Sequence, residues 1–227
     1  MPPPSPQSIL AGARKFELLR ERRAGATLRS VLRIDGRFVA KKFSVPAHAR
    51  RFPRPWIAEH ACLRVLDGNG APRSLGWFEE SSPSGLVAWL VKEFVAGSPV
   101  DRFGPQDVPA LALLMARIHA AKIVTDDANA ANFLRDPGGA ILFLDFGKAR
   151  LHSRHGWRFD AAVGCELAKL RREGFCWDNA LWSAFLPAYF AASRAAPSRR
   201  FRILFACAAE TALRMARKTI QGKSSRS

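Results

Sequence analysis

From Phe16 onward, the first part of the chain alternates apolar and polar residues in a way that is typical of β-structure. A helical spacing of apolar residues interrupts this alternation at 56–66. Asp35-Gly36, between two apolar stretches, is typical of a hairpin turn. The pattern therefore predicts strands at 26–34, 38–43, 74–78 and 86–94.

Beyond Gly97 the apolar residues recur mostly at helical spacing. A polar loop at 125–131 precedes a short hairpin with strands at 133–134 and 141–144. Helices are predicted at 108–121, 158–172, 177–193 and 199–220. The whole pattern predicts an α+β fold with a disordered N-terminus (1–12), a β-rich domain (13–95), a helical domain (96–220) and a basic tail (221–227).

The net charge of +17 lies at the two ends of the 227-residue chain. Residues 1–55 carry thirteen Lys/Arg against three Asp/Glu, and residues 194–227 carry nine against one, whereas the middle is nearly neutral. The charge is explained either by a general solubility effect or by attraction to a polyanion such as a membrane surface, a nucleic acid or an acidic glycolipid.

The sequence contains no CxxC pair, no basic-apolar leader and no apolar run near the ~18 residues that a membrane-spanning helix needs. Its four cysteines have no spacing typical of a metal site. The expectation is a cytoplasmic protein with reduced thiols.

Five residues carry the groups that phosphoryl transfer requires, and they fall in an ordered series. Phosphates need a cation, which a carboxylate on a neighbouring helix can orient, and Mg²⁺ prefers carboxylate and amide oxygens. A further carboxylate must accept the proton of the acceptor hydroxyl. In chain order these residues are Lys41, Glu59, Asp127, Asn132 and Asp145.

This series resembles the protein-kinase-like fold, whose catalytic loop reads HRDxxxxN and whose metal-binding motif reads DFG. The resemblance covers roughly residues 25–175 and implies two lobes, a β-rich N-lobe and a small helical C-lobe. It implies that Lys41 and Glu59 act on the phosphates and that Asp127 is the catalytic base. Asn132 and Asp145 would bind Mg²⁺, and ATP would be the cofactor, with Glu93 and Val95 contacting it at the hinge.

Within that fold, the chain is similar to bacterial lipopolysaccharide core kinases, which phosphorylate heptose or Kdo. Three features carry this likeness: the catalytic-loop ending in 129–134, a short basic stretch after 145–150 in place of a long activation segment, and the compact helix of 160–172 without an APE motif. The resemblance implies an anionic glycolipid substrate and peripheral contact with the inner face of the bacterial inner membrane. The sequence departs from the kinase pattern at Thr125 and Asp126, which stand where the HRD motif has histidine and arginine. The sequence also has no GxGxxG loop.

Alternatives remain for two residues and for the activity. Lys42 competes with Lys41 and Asp126 competes with Asp127, because neighbouring residues carry the same group. Small-molecule kinases, protein Ser/Thr kinases and a pseudokinase interaction module are alternative functions. A nucleic-acid-binding module would account for the charge but not for the placement of Asp127, Asn132 and Asp145.

The last predicted helix carries an apolar stripe beside a separate polar face. Either the stripe packs on the rest of the helical domain, or the positive ends of the chain hold it against an anionic membrane. The stripe consists of Phe201, Leu204, Phe205, Ala208, Ala212, Met215 and Ala216.

Overall fold

The computed structural model describes residues 4–49 and 53–224, apart from the side chains of Ala24 and 218–224. Helices make up 43% of the chain and strands 26%, which confirms the predicted α+β class. The chain divides into two compact units. The N-terminal unit comprises Met1–Ala96 with Phe146–Lys148, and the C-terminal unit comprises Gly97–Asp145 with Ala149–Ser227.

The N-terminal unit is built on a five-stranded antiparallel sheet with strand order β1-β2-β3-β5-β4. Its strands are β1 (Phe16–Ala24), β2 (Thr27–Ile34), β3 (Phe38–Pro46), β4 (Ser74–Ser82) and β5 (Gly85–Glu93). Its helices are α1 (Pro6–Ala11) and α2 (Pro55–Leu66). The four strands and the helix predicted in this part of the sequence are all present.

The turn between β2 and β3 shows why the sequence forms this hairpin. Asp35 and Gly36 both have positive φ, 49° and 69°, as the two central residues of a type I′ turn require. The Asp35 carboxylate also accepts hydrogen bonds from the backbone N–H groups of Arg14 and Lys15. The turn therefore sets the strand register and ties down the chain that leads into β1.

Residues 1–12 were predicted to be disordered, and this prediction is wrong for Pro6–Ala11, which form helix α1. The Ser5 side chain caps the helix by accepting a hydrogen bond from the N–H of Ser8. Ile9 is buried in a cluster with Ile34, Ala40 and Val91 of the sheet. This packing stabilises a helix that is too short to be stable alone.

Two helix pairs organise the C-terminal unit, because α3 packs on α5 and α4 packs on α6. Its helices are α3 (Val108–Ala120), α4 (Trp157–Lys169), α5 (Asn179–Ser193) and α6 (Pro197–Ser224). Its short strands are β6 (Ser98–Pro99), β7 (Ile123–Val124), β8 (Phe133–Arg135), β9 (Ile141–Phe143) and β10 (Arg150–Leu151). Strand β8 pairs with β6 and β9, and β7 pairs with β10.

Helix α6 is longer than the sequence predicted. The helix was expected to end at Ile220, but it continues to Ser224, so the predicted tail 221–227 is helical over 221–224. The last three residues of that tail lie outside the described residues. Over the part of the chain that the structure describes, no helix is both long enough and apolar enough to cross a membrane.

Candidate active site

A buried cluster of two lysines and one glutamate lies on the sheet of the N-terminal unit. Lys41 Nζ of β3 lies 2.8 Å from Glu59 Oε2 of α2, and Lys92 Nζ of β5 lies 3.0 Å from Glu59 Oε1. The Glu59 side chain is fully buried, and the Lys41 side chain is 13% exposed. The expected contact between Lys41 and Glu59 is therefore present.

Strand register explains why Lys41, and not Lys42, contacts Glu59. Lys41 lies opposite Leu90, so both side chains project from the same face of the sheet. Lys42 lies opposite Trp89 on the other face, where its ammonium is 5.1 Å from the centre of a Trp89 ring. The alternation of side chains along a strand thus decides between the two lysines.

Lys92 is the member of this cluster that the sequence did not reveal. It follows Leu90 by two residues on β5, which places it on the same sheet face as Lys41. A buried lysine needs a charged partner, because an isolated ammonium is costly to remove from water. Its only sequence signal was its position, as a lysine in an otherwise apolar strand.

Cys62 lies one helical turn beyond Glu59 and shares its buried surroundings. Burial, together with the nearby Glu59 carboxylate, raises the pKa of the Cys62 thiol to about 12. The thiol therefore stays protonated at neutral pH and acts as a small apolar group. The chemistry of this cluster belongs to the two lysines and the glutamate.

In the C-terminal unit, the loop between β7 and β8 holds Asp127 in a defined orientation. Lys169 Nζ, at the end of α4, lies 2.6 Å from Asp127 Oδ1. The backbone carbonyl of Asp127 accepts hydrogen bonds from the side-chain amides of Asn132 at 2.8 Å and Asn129 at 3.2 Å. The five-residue spacing between Asp127 and Asn132 thus closes the loop on itself.

Asp126 is directed to different partners than Asp127. It has a positive φ of 56°, and its carboxylate lies 2.5 Å and 2.9 Å from the Nε and a terminal nitrogen of Arg150. The hydrogen bond to Asp126 raises the pKa of the Arg150 guanidinium above its usual value. The two neighbouring aspartates are therefore distinguished by their environment, one facing Arg150 and the other facing Lys169.

A buried polar network contacts the start of the loop between β7 and β8. Glu166 of α4 accepts hydrogen bonds from the backbone N–H of Thr125 at 2.8 Å and from the Thr125 hydroxyl. Its other oxygen lies 2.9 Å from His119 Nε2, and His119 Nδ1 lies 2.8 Å from the Tyr189 hydroxyl. All four side chains are buried. His119 is therefore a packed, hydrogen-bonded residue with a structural role.

Asn132 precedes β8 and lies opposite Leu144, the residue before Asp145, at the open end of the β8–β9 hairpin. The N–H of Leu144, which precedes Asp145, donates to the backbone carbonyl of Asn132 at 2.9 Å. Because the Asn132 amide nitrogen donates to Asp127, its amide oxygen remains to act as a ligand. Among the described residues no group of three or more His, Cys, Asp or Glu side chains could hold a metal ion. One carboxylate and one amide oxygen fit Mg²⁺ that keeps water and phosphate ligands, and they do not fit an all-protein metal site.

The predicted hinge residues Glu93 and Val95 follow the cluster on β5. The backbone N–H of Glu93 donates to the carbonyl of Arg73 at 2.9 Å, so it is not available to a ligand. Over the described residues, the backbone N–H and C=O of Val95 have no hydrogen-bond partner. Of the two, Val95 has the backbone groups that a planar, hydrogen-bonding ligand would need.

Lys169 and Glu166 are the two site residues of the C-terminal unit to which the sequence assigned no role. They lie three residues apart on α4, so they share a helix face. Val163 and Leu167, both buried, lie on either side of Glu166 on this helix. Charged residues within an apolar helix face are a usable signal, since a buried charge requires a partner.

No protein-family model matches the chain, and no curated protein matches it.

Proposed function

We propose that the chain is an ATP-dependent phosphotransferase with a protein-kinase-like fold, which phosphorylates a sugar hydroxyl. The observation that supports this most is the buried contact between Lys41 and Glu59, 18 residues apart, on a strand and the following helix. An oriented lysine of this kind suits the binding of nucleotide phosphates. The loop of Asp127 and Asn132, followed by Asp145, supplies the remaining groups in the expected order.

The N-terminal unit would bind the nucleotide. Glu59 holds the Lys41 ammonium in one position, so that little side-chain entropy is lost when phosphates bind. Lys92 adds a second positive charge on the same carboxylate and favours a polyanionic ligand. The backbone of Val95 would make hydrogen bonds to the adenine base.

The C-terminal unit would act on the acceptor. Asp127 is the candidate base that takes the proton of the acceptor hydroxyl, and Lys169 fixes one of its carboxylate oxygens. Asn132 and Asp145 would hold Mg²⁺, which neutralises charge on the transferring phosphoryl group. Transfer then forms a new P–O bond to the sugar oxygen and breaks the bond to the leaving ADP.

The acceptor class follows from charge and from the resemblance to lipopolysaccharide core kinases. An excess of basic residues at both chain ends favours an anionic substrate, and the lipopolysaccharide inner core, in which the heptose or Kdo acceptor lies among Kdo carboxylates, meets that requirement. Kinases of cationic small molecules would need an acidic binding surface instead. A protein substrate is less well supported, since 145–172 contains no long activation segment.

The acceptor is tested by mass spectrometry of the lipid A–core oligosaccharide from cells with and without the gene. We expect the oligosaccharide to lose one phosphate when the gene is deleted, and to regain it when the gene is restored. The Asp127→Asn variant serves as the matched control and should not restore it. An unchanged phosphate content in all strains would contradict the proposed acceptor.

Nucleotide binding gives a prediction that does not depend on the acceptor. Mg²⁺–ATP at 100-fold its Kd should stabilise the protein by about 2.7 kcal/mol, which raises Tm by about 5–10 °C for a chain of this length. Asp145→Asn should remove the Mg²⁺-dependent part of the shift, because it removes a metal ligand. Thermal unfolding with ATP, with and without Mg²⁺, measures it. No shift with any Mg²⁺–nucleotide would contradict the proposed function.

Lys41→Met and Lys42→Met form a matched pair. Lys41→Met removes the ammonium that Glu59 orients, so we expect kcat/KM for ATP to fall about 10- to 100-fold. Lys42→Met removes a charge on the opposite sheet face and should leave kcat/KM nearly unchanged. Steady-state kinetics at varied ATP concentration measures kcat/KM for both variants. A larger loss for Lys42→Met would overturn the proposed role of Lys41 in binding ATP.

A further inference from the structure

Helix α6 has two apolar faces, and one of them packs inside the C-terminal unit. Ile203 and Cys207 are 0% and 5% exposed and belong to the face that packs on α4. Gly164 of α4 permits this close approach, because a Cβ there would lie 2.5 Å from the Ile203 carbonyl oxygen. Burial raises the pKa of the Cys207 thiol to about 11. The core contact of α6 is therefore made without the predicted apolar stripe.

The other apolar face of α6 is exposed. Phe201 and Phe205 are 69% and 68% exposed, and Leu204 beside them is 40% exposed. Phe201, Phe205, Ala208 and Ala212 follow the spacing i, i+4, i+7 and i+11, so they form one continuous stripe along the helix. Of the two alternatives for this stripe, packing on the rest of the C-terminal unit is wrong for its two phenylalanines.

The two phenylalanines form a single apolar surface. Their ring centres lie 6.3 Å apart with an interplanar angle of 23°. Exposed leucines occur singly on most proteins, whereas adjacent exposed aromatic rings on one helix face are typical of an interaction surface. An amphipathic helix that lies on a membrane has this composition, with aromatic residues on one face and basic residues around them.

Arginines precede and follow Phe201 in the first turns of α6, and two of them face Asp160 of α4. Arg199 and Arg202 both lie within 3 Å of the buried carboxylate of Asp160, so three charges leave a net positive charge at that point. Arg200 adds another, with its Nε bonded to the carbonyl of Ala195. Farther along α6, Arg214 pairs with Glu210, and Arg217 is exposed.

We infer that the exposed stripe of α6 docks the protein on the surface of an anionic lipid bilayer. The phenylalanines would enter the boundary between headgroups and acyl chains, and the more exposed arginines, Arg202 and Arg217, would contact lipid phosphates. This surface is independent of the phosphotransferase site proposed above.

Charge favours a bilayer over a second copy of the chain. Residues 194–227 carry nine basic residues and one acidic residue. Two copies that paired through this face would bring these positive segments together, and like charges repel. An anionic bilayer attracts the same segment, so the electrostatic and apolar contributions act in the same direction.

The experiment is co-sedimentation of the full chain with vesicles of phosphatidylcholine alone or mixed with phosphatidylglycerol, at low and high salt. We expect binding to the acidic vesicles at low salt and at least a tenfold lower partition coefficient at high salt, because salt screens surface charge. The double variant Phe201→Ser/Phe205→Ser should bind roughly tenfold or more weakly, since two aromatic side chains lose their apolar environment.

Leu213→Ser is the matched control, since Leu213 is 55% exposed on the same helix but lies off the stripe. It should bind acidic vesicles like the unaltered protein. Unfolding curves of all variants should coincide, because the substituted side chains are exposed. The inference is overturned if acidic vesicles do not bind the protein at low salt, or if the double variant binds as well as Leu213→Ser. A lipid-free dimer in sedimentation velocity that the double variant abolishes would instead assign the stripe to self-association and also overturn it.

Discussion

Asp127→Asn should lower the rate of phosphoryl transfer by about two to four orders of magnitude, with the affinity for ATP nearly unchanged. Asparagine occupies the same volume but cannot accept the proton of the acceptor hydroxyl. The backbone carbonyl of Asp127 that Asn132 and Asn129 bind remains in place, so the loop should keep its conformation. Single-turnover kinetics with saturating ATP and acceptor measure the chemical step directly.

Asp126→Asn is the control for this prediction. Asp126 lies in the left-handed region, which asparagine tolerates well, and it loses only a partly exposed ion pair with Arg150. We expect a rate within a factor of about three of the unaltered protein, consistent with an ion pair worth no more than about 1 kcal/mol. If Asp126→Asn abolished transfer and Asp127→Asn did not, the two aspartates would have exchanged roles.

Glu166→Ala should destabilise the protein by about 3–5 kcal/mol. The glutamate is 2% exposed and connects His119 with the backbone and hydroxyl of Thr125. Its removal leaves buried donors without acceptors, which costs more than the loss of an average hydrogen bond. Urea unfolding, analysed by linear extrapolation, gives the change in the free energy of unfolding.

Glu173→Gln is the matched control, since Glu173 follows α4 but lies at the surface, with Lys169 and Arg172 as partners. Its loss should change the free energy of unfolding by less than about 1 kcal/mol. Amide exchange at Thr125 separates a local from a global effect, because its N–H donates to Glu166. Equal unfolding midpoints for Glu166→Ala and Glu173→Gln would refute the role of this network.

Lys92 adds a third member to the buried cluster of Lys41 and Glu59. Lys92 directly precedes the predicted hinge residue Glu93 in the chain, and the structure places its ammonium on the carboxylate that also holds Lys41. A glutamate shared by two lysines is a stronger anion-binding arrangement than a single pair. Kinetic studies of the N-terminal unit should therefore vary Lys92 alongside Lys41.

The sequence by itself determined the elements whose signals are local. Alternation of apolar residues predicted the strands around Asp35-Gly36, and the turn formed because both positions accept positive φ. The same alternation showed that only one of Lys41 and Lys42 can face the helix side of the sheet, since neighbouring residues on a strand point to opposite faces, and the strand register identified it as Lys41. Helical spacing predicted the four long helices of the C-terminal unit.

Tertiary structure alone decided which distant groups meet. Lys92 reaches Glu59 across 33 residues, and Lys169 reaches Asp127 across 42. Short helix α1 has a local start signal in Ser5 and Pro6, but a helix of six residues is stable only because Ile9 packs on the sheet. Periodicity showed that α6 has distinct faces, but only the fit of Ile203 against Gly164 decided which face is buried and left Phe201 and Phe205 exposed. Periodicity reports the shape of one element, whereas packing depends on the surface of its neighbour.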